Sequence, residues 1–524
     1  MDLAILDYRQ CFDTMSVDIT TNDMYEVGVT NDHLNLIYEG DKKSKIAVKT
    51  PMGVTERVDL NKVVAQGEII SPLKCSITVD SIACDHVENL ADHLYHYKDS
   101  VPIPPLGMVD DTIGISYCGL DSVLTTAHLN SKTNIKKLQY GQDKCHKLHI
   151  GKNINICPDN SIDTWSMEKH SENISSVLEM VDKEGDKHIL EAVTSDKYLG
   201  DIISSDGKNT LNIQERKRRG YLAVNQINEM LNDLCLGKYY FEAGNILRNS
   251  LLLSSLLSNS ESWYNITNKE LSELESVDEA LLRKILSAHS KTPLELLYLE
   301  TGSIPVRFIV MARRLNFLWY ILNESEDSLI RNCLSAQIEN PSKGDWILTI
   351  KEDLKELKIN LGIEEIANSS KEGFKQIVKS AVKEVALEFL LRLKATHSKG
   401  SELEYDSLQI QPYLKADSVT PLTIDEKQFI FAVRSRMLDI KGNYKFGQSN
   451  LLCRACHQAE ENQEHLLECS ELKNNEVVIN SFNYIDIFGS DEIKISEISK
   501  IIRQKLKRLQ TIVNTSNGSS ATVQ

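Results

Sequence analysis

Residues 106–116 read LGMVDDTIGIS, two short apolar runs that meet at an acidic pair, Asp110 and Asp111. Leu106 and Met108 before the pair, and Ile113 and Ile115 after it, alternate with other residues in the period-two pattern of half-buried strands. The spacing therefore predicts a hairpin with the aspartates at or near its bend. A lone Asp-Asp pair is ordinarily a solvated turn, because the Asp side chain bonds its own backbone. A third carboxylate upstream changes its meaning. In LAILDYRQCFD, the apolar strand start Ala4, Ile5, Leu6 runs into Asp7, with Phe12 and Asp13 close behind. If the two strands are neighbours in one sheet, Asp7 and Asp110 converge. Converging carboxylates repel each other, and hard cations bound between them offset that cost.

Composition limits what such a site can belong to. The chain has 524 residues, of which 41% are hydrophobic and 26% charged, a soluble globular balance with enough length for several domains. No stretch approaches the roughly 20 uncharged apolar residues of a membrane span, and NSLLLSSLLSNS, from Asn249, is too short and too polar. The opening MDLAILDYRQCFD lacks a basic region followed by an apolar core, so no signal peptide is predicted and the protein is expected to be intracellular. Eleven cysteines, mostly scattered singly, do not form the framework of a secreted disulfide domain and are expected to be reduced. The net charge of -16 opposes non-specific attraction to nucleic acid. Local basic clusters stand against it: Arg216, Lys217, Arg218 and Arg219, and then Lys500, Arg503, Lys505, Lys507 and Arg508. The first is expected to be a solvated helix face or a template-backbone contact.

The first 160 residues mix strand-like runs (LAILDY, SKIAVKTPMGVTERV, GEIISPLKCSITV) with turn signals, an α+β order. Residues 159–196 are polar and read as a connecting loop with one helix around Val177 to Asp182. From about Asn212 the pattern is helical. Thr267 and Glu270 form a capping-box pattern ahead of Leu271, Leu274, Leu281, Leu282 and Ile285. Amphipathic stretches recur at 305–322, 374–395 and 427–437, and residues 210–445 read as all-helical. The last such stretch, Ile495, Ile498, Ile502, Leu506 and Leu509, carries the second basic cluster on its other face, and NTSNGSSATVQ at the end is expected to be disordered. Trp263 and Tyr264 read as core residues.

The most specific local motif is CRACHQAEENQEHLLEC. Cys453 and Cys456, two residues apart, can present both sulfurs to one ion from a tight turn, while His465 and Cys469, four apart, share one face of a helical turn. Four such ligands close a tetrahedron with no position for water, a structural zinc site.

Taken in order, these stretches resemble the reverse transcriptases of non-LTR (LINE-type) retrotransposons. LDYRQCFDTM is similar to the family's first catalytic motif, which makes Asp7 a metal ligand and Phe12 the gate that excludes a ribose 2'-hydroxyl. AQGEIISPL resembles the stretch that packs on incoming nucleotide and template, matched at Gln66, Gly67, Ser71 and Pro72. MVDD is similar to the aspartate-aspartate box, with Met108 and Val109 in place of its first two residues and both Asp110 and Asp111 kept. LQYGQDKCHKLHIGK resembles the segment that follows, in which Lys144 would protonate the leaving pyrophosphate. KYLGDIISSDG is similar to the primer-grip hairpin, with Tyr198, Leu199 and Gly200 as its core.

The resemblance implies an α+β chain: an incomplete polymerase palm, an antiparallel sheet with helices, over 1–160; a connector and primer-grip hairpin over 161–210; a helical thumb over 211–330; a helical extension over 331–445; the CCHC knuckle over 446–475; and a basic amphipathic helix with a disordered tail over 476–524. It implies RNA-directed DNA polymerase activity with two Mg2+ ions at Asp7, Asp110 and Asp111, structural Zn2+, an RNA template, a DNA primer and dNTPs, no membrane, and a nuclear location. The family's fingers, expected before the first catalytic motif, and its endonuclease have no counterpart, so the chain reads as a truncated copy. The alternative is a non-catalytic remnant that binds nucleic acid or a partner through its helical region and knuckle. Template preference and oligomeric state stay open.

Overall fold

In the computed structural model, which describes residues 1–59, 69–117, 119–151, 155–156, 174–175, 177–397, 402–443, 450–472 and 484–519, the chain is mixed α+β and divides into two units. Unit 1 comprises Met1–Asn212 and Ser325–Ser342; unit 2 comprises Ile213–Glu324 and Lys343–Gln524.

Unit 1 is organised by the apolar run Leu3–Leu6. In chain order its elements are β1 (Asp2–Asp7), α1 (Cys11–Thr14), α2 (Val17–Glu26), α3 (Asn31–Lys42), α4 (Ser71–Asn89), β2 (Leu106–Met108), β3 (Asp111–Ser116), α5 (Leu120–Ile135), β4 (His146–His149), β5 (Glu191–Val193), β6 (Ser195–Tyr198) and β7 (Asp201–Ser204). The main sheet runs β5-β4-β1-β3-β2. β1 is its middle strand and is buried on both faces, which is why it reads as an unbroken apolar run rather than as an alternation. Successive side chains go to opposite faces. Ala4 and Leu6 join Cys75, Val79 and Ile82 of α4 and Leu129 of α5 in one core. Leu3 and Ile5 join Ile113 and Leu148 on the other face, where Tyr198 and Ile203 cover them. Gly114 lets α5 approach the sheet: a Cβ there would meet Leu129 Cδ1 and Thr125 Cγ2, each at 3.1 Å.

Three local expectations are corrected here. In GEIISPLKCSITV the expected strand gives way to a turn at Ile69–Ile70, after which Ser71 opens α4 with Pro72 in its first turn, where a missing N–H costs nothing. The buried residues Cys75, Thr78, Val79, Ile82 and His86 recur at helical spacing, and tertiary burial overrides the β-branched composition. The segment around Val177 to Asp182 holds a strand, Glu179–Val181, paired antiparallel with Lys187–Ile189, in place of the expected helix. The main sheet is antiparallel except for β5, which pairs parallel to β4. The strand-like run SKIAVKTPMGVTERV forms two short antiparallel ladders, Lys49–Thr50 with Gly53–Val54 and Lys45–Ile46 with Val58–Asp59.

The second piece of unit 1 carries the helix Leu329–Glu339, which packs beside the ribbon formed by Tyr95–Tyr97 and Val101–Ile103. Lys98 Nζ donates to the Asn340 carbonyl (2.7 Å) and to Ser342 Oγ (2.8 Å).

Unit 2 is helical, with one isolated bridge, Thr301 to Ile410, among its described residues up to 443. The capping box at Thr267 and Glu270 opens the helix Asn268–Ile285, whose Leu274, Leu281, Leu282 and Ile285 are buried as their spacing predicts. Trp263 is buried as well. A second capping box, Thr423 with Glu426, opens the helix Ile424–Arg434. The core contains charge that is paired in place. Glu300 accepts from Tyr405 and Tyr413 hydroxyls (2.7 Å each) and from Arg434 Nε (2.9 Å), while Arg434 Nη1 reaches the Ile487 and Gly489 carbonyls. Arg248 clasps Asp278, and Arg314 clasps Asp353, in the same two-pronged way. The C-terminal helix, Glu492–Ser519, buries Ile495, Ile498, Ile502 and Leu509. Lys505 lies on that buried side and donates to the Leu467 carbonyl, so it is not part of an exposed basic face. Residues 514–519, expected to be disordered, continue this helix. No helix among the described residues is long and apolar enough to cross a membrane.

Removing one member of a buried, hydrogen-bonded ion pair strands the other. Glu300→Ala is expected to destabilise the protein by about 3–5 kcal/mol. Urea unfolding followed by circular dichroism measures this, and an unchanged midpoint would show that the tyrosine and arginine partners find other acceptors.

Candidate active site and metal centre

The register of β1 against β3 pairs Asp7 with Asp111, at the end where β3 begins. Opposed residues in an antiparallel pair project to the same face, so both carboxylates point to the side of the sheet that carries Ile5 and Ile113. β2 and β3 pair with Met108 opposite Asp111, which leaves Val109 and Asp110 as a two-residue turn. Val109 has φ 61°, the positive angle that the first central position of a type II′ turn requires. Glycine is the residue suited to it, and a β-branched side chain there stores strain of about 1–2 kcal/mol. The turn is held from below. The Asp110 carbonyl accepts from the Tyr8 N–H at 3.3 Å, Val109 packs on the core shared by α4 and α5, and the Cys75 thiol donates to the Val109 carbonyl at 3.6 Å.

Lys144, in the short turn Gln142–Lys144, places Nζ 3.2 Å from Asp7 Oδ1. The ammonium is largely exposed, so this pair adds at most about 1 kcal/mol to stability. The Asp7 backbone is fixed on the same side, where its carbonyl accepts from Gly141 N–H (2.8 Å) and its N–H meets Cys145 Sγ (3.4 Å). Burial first, and then the charges of Asp110 and Asp7, hold the Asp111 carboxyl above the usual carboxylate range, against the opposing pull of Lys144.

The β6-β7 hairpin turns at Leu199 and Gly200, both at positive φ (47° and 88°), the type I′ pattern for which glycine is suited. Tyr198 leaves the hairpin toward the sheet and donates its hydroxyl to the Leu106 carbonyl at 3.3 Å. Burial, then the Asp111 charge, pushes the Tyr198 phenol up to about 12. Tyr198 therefore lies on the Asp7–Asp111 face. Phe12, on α1, is half-buried against the opposite core with Cys11 and Met15. Ser71 and Pro72 begin α4; Gln66 and Gly67 lie outside the described residues.

The basic run is internally paired. Arg218 and Arg219 both bind Glu215, which they hold at about 2, Lys217 lies 3.6 Å from Glu273, and Arg216 is buried. It is a solvated face at Arg218, whereas Arg216 is turned inward.

In unit 2 the second motif closes. One ligand atom each from Cys453, Cys456, His465 and Cys469 lies within 4.8 Å of the others, a Cys3His grouping that could hold a zinc ion. It is the one grouping of that kind among the described residues, and Asp7, Asp110 and Asp111 do not gather so closely. The geometry is local in origin. The Cys453 N–H donates to the Ala459 carbonyl (2.7 Å) to make the tight turn. Asn462 caps the helix Gln463–Glu468 through the His465 N–H (2.7 Å), which sets His465 and Cys469 one turn apart. Arg454 binds the buried Glu461 and so crosses the loop between the two halves. Although burial opposes it, the Gln458 and Ala459 N–H groups and the His465 ring hold the Cys456 thiol down at about 6, favouring the thiolate a metal needs.

The buried thiols around the carboxylate turn, Cys11, Cys75 and Cys145, were not singled out by sequence, because each stands alone in the chain and only folding brings them together. No family model matches this chain, and no curated protein matches it.

Two outcomes are expected. Because the folded-state pKa of Asp111 is raised, its charged form costs stability above that pKa and nothing below the unfolded value. Asp111→Asn should therefore stabilise the protein at neutral pH, with the gain gone near pH 3, where the carboxyl is protonated in both states; paired denaturant melts at the two pH values measure it. Elemental analysis of the purified chain should find zinc bound stoichiometrically and lost in Cys453→Ser, with the Lys500–Arg508 helix protected from proteolysis only in the metal-bound form.

Proposed function

We propose that this chain is the palm, thumb and knuckle portion of an RNA-directed DNA polymerase of the non-LTR retrotransposon kind, acting on a primed RNA template with dNTPs in the nucleus. The observation that carries the reading is the cross-strand pairing of Asp7 with Asp111 beside a strained two-residue turn that bears Asp110. Strain held in place by surrounding packing is a mark of functional turns.

The donor set fits hard divalent cations. Asp7 and Asp111 share one sheet end with Asp110 on the adjoining turn, and the Asp111 carboxyl is raised first by burial and then by its two acidic neighbours, a repulsion that such an ion would relieve. When bound, a pair of Mg2+ ions would activate a primer 3'-hydroxyl and neutralise the leaving pyrophosphate. The chain's own groups do the rest. Asp7 and Asp111 present oxygens on one face. Lys144 Nζ carries a proton within reach of Asp7 and is the candidate donor to the leaving group. The Tyr198–Gly200 hairpin covers the same face, where a primer end would rest; Phe12, the sugar gate that the resemblance implies, packs against the opposite core, so its part in the reading rests on the resemblance alone. The Cys3His site is read as structural zinc, since four protein ligands leave no open position.

A second reading, a non-catalytic binding remnant, draws on the internal pairing of Arg218 and Arg219 and on the acidic net charge of -16. Primer extension on an RNA template separates the two. Extension by the native chain that falls by more than about a hundredfold in the Asp110→Ala, Asp111→Ala double variant supports the polymerase. Absence of extension by both proteins, with nucleic-acid binding retained, would favour the remnant.

A further inference from the structure

The sulfurs of Cys11 and Cys75 lie 3.2 Å apart, one on α1 and the other on α4, 64 positions apart in sequence, and both are buried. Neither takes part in the polymerase reading. Their position ties them to it physically: Cys11 precedes Phe12, and Cys75 donates to the Val109 carbonyl at 3.6 Å, beneath the turn that carries Asp110. We propose that Cys11 and Cys75 form a redox-responsive dithiol that closes to a disulfide and transmits its oxidation state to the Val109–Asp110 turn.

The sulfurs must approach from 3.2 Å to the roughly 2 Å of an S–S bond, a shift that the four-residue helix α1 can supply. Hydrogen peroxide is the oxidant class. It oxidises one thiol to a sulfenic acid and releases one water; the second thiol attacks that sulfur, the S–S bond forms, and the hydroxyl leaves with the thiol proton as a second water. Two electrons pass from the sulfur pair to the peroxide. The second step is intramolecular between atoms already in contact, so it outruns reaction with any external thiol. Burial slows the first step relative to the exposed Cys84 and Cys235. Once closed, the link staples α1 to α4 and removes the S–H donor from the Val109 carbonyl.

The full chain is treated with hydrogen peroxide, alkylated with iodoacetamide and mapped by mass spectrometry, and amide exchange over 106–116 is compared before oxidation, after it, and after dithiothreitol. The expected result is a cross-linked Cys11–Cys75 peptide as the dominant disulfide of unit 1, absent in Cys75→Ser, with exchange over 106–116 altered and restored by reduction. Recovery of both residues as alkylated free thiols while Cys84 and Cys235 are oxidised would overturn the proposal. So would a cross-link that leaves exchange over 106–116 unchanged. The mapping uses the native chain, so it stands even if Cys75→Ser fails to fold. Because neither readout needs catalysis, its outcome is separate from that of primer extension.

Discussion

The register of β1 against β3 is the constraint on which the candidate site depends. Side-chain direction in a strand has period two, so a slip of one residue would send Asp7 into the core occupied by Leu129 and Cys75 and expose Leu6 in its place. The slip is blocked because β1 is buried on both faces and paired on both edges, Leu3 with Ile115 and Leu148, Ala4 with Gly114 and Lys147. Two independent cores, one on each side of the sheet, agree on the same register. The precision of the carboxylate pair is thus a by-product of hydrophobic packing some residues away from it.

The site itself is held against local preference. Val109 occupies a backbone region better suited to glycine, and Asp111 ionises in the face of burial and of two neighbouring negative charges. The first cost is offset by the packing of Val109 on the core and by the Tyr8 and Cys75 donors beneath the turn, and the second is opposed by the Lys144 charge. Elsewhere the molecule does the opposite: Glu300, Asp278 and Asp353 are buried with guanidinium partners in good geometry. Ionic groups that stabilise are neutralised in pairs, whereas those at the sheet end are left as an excess of one sign.

What the sequence disclosed follows from how local each signal is. The hairpin at 106–116, the capping box at Thr267 and Glu270, and the Cys453–Cys469 turn and helix are each specified within a few residues, and each can be read directly. The α+β class follows from the same patterns. GEIISPLKCSITV misleads because its β-branched residues suit a strand in isolation, and only the packing of Cys75, Val79 and Ile82 on the sheet makes it a helix. The parallel β4–β5 pairing and the strand at Glu179–Val181 depend on partners that no short window contains. The same is true of Arg216, which carries a charge yet is buried, and of the sulfur pair, joined across 64 positions.

Unit 1 is discontinuous: the helix Leu329–Glu339 belongs with the first 212 residues although a long stretch of unit 2 intervenes. Its Lys98 finds the Asn340 carbonyl and Ser342 hydroxyl only after that stretch has been made. A chain that emerges from the ribosome N-terminus first therefore completes its sheet early but waits for its last helix. During that interval the ribbon at Tyr95–Ile103 lacks the helix that packs beside it, so the order of synthesis, rather than the order of elements in space, decides which surface is bare longest.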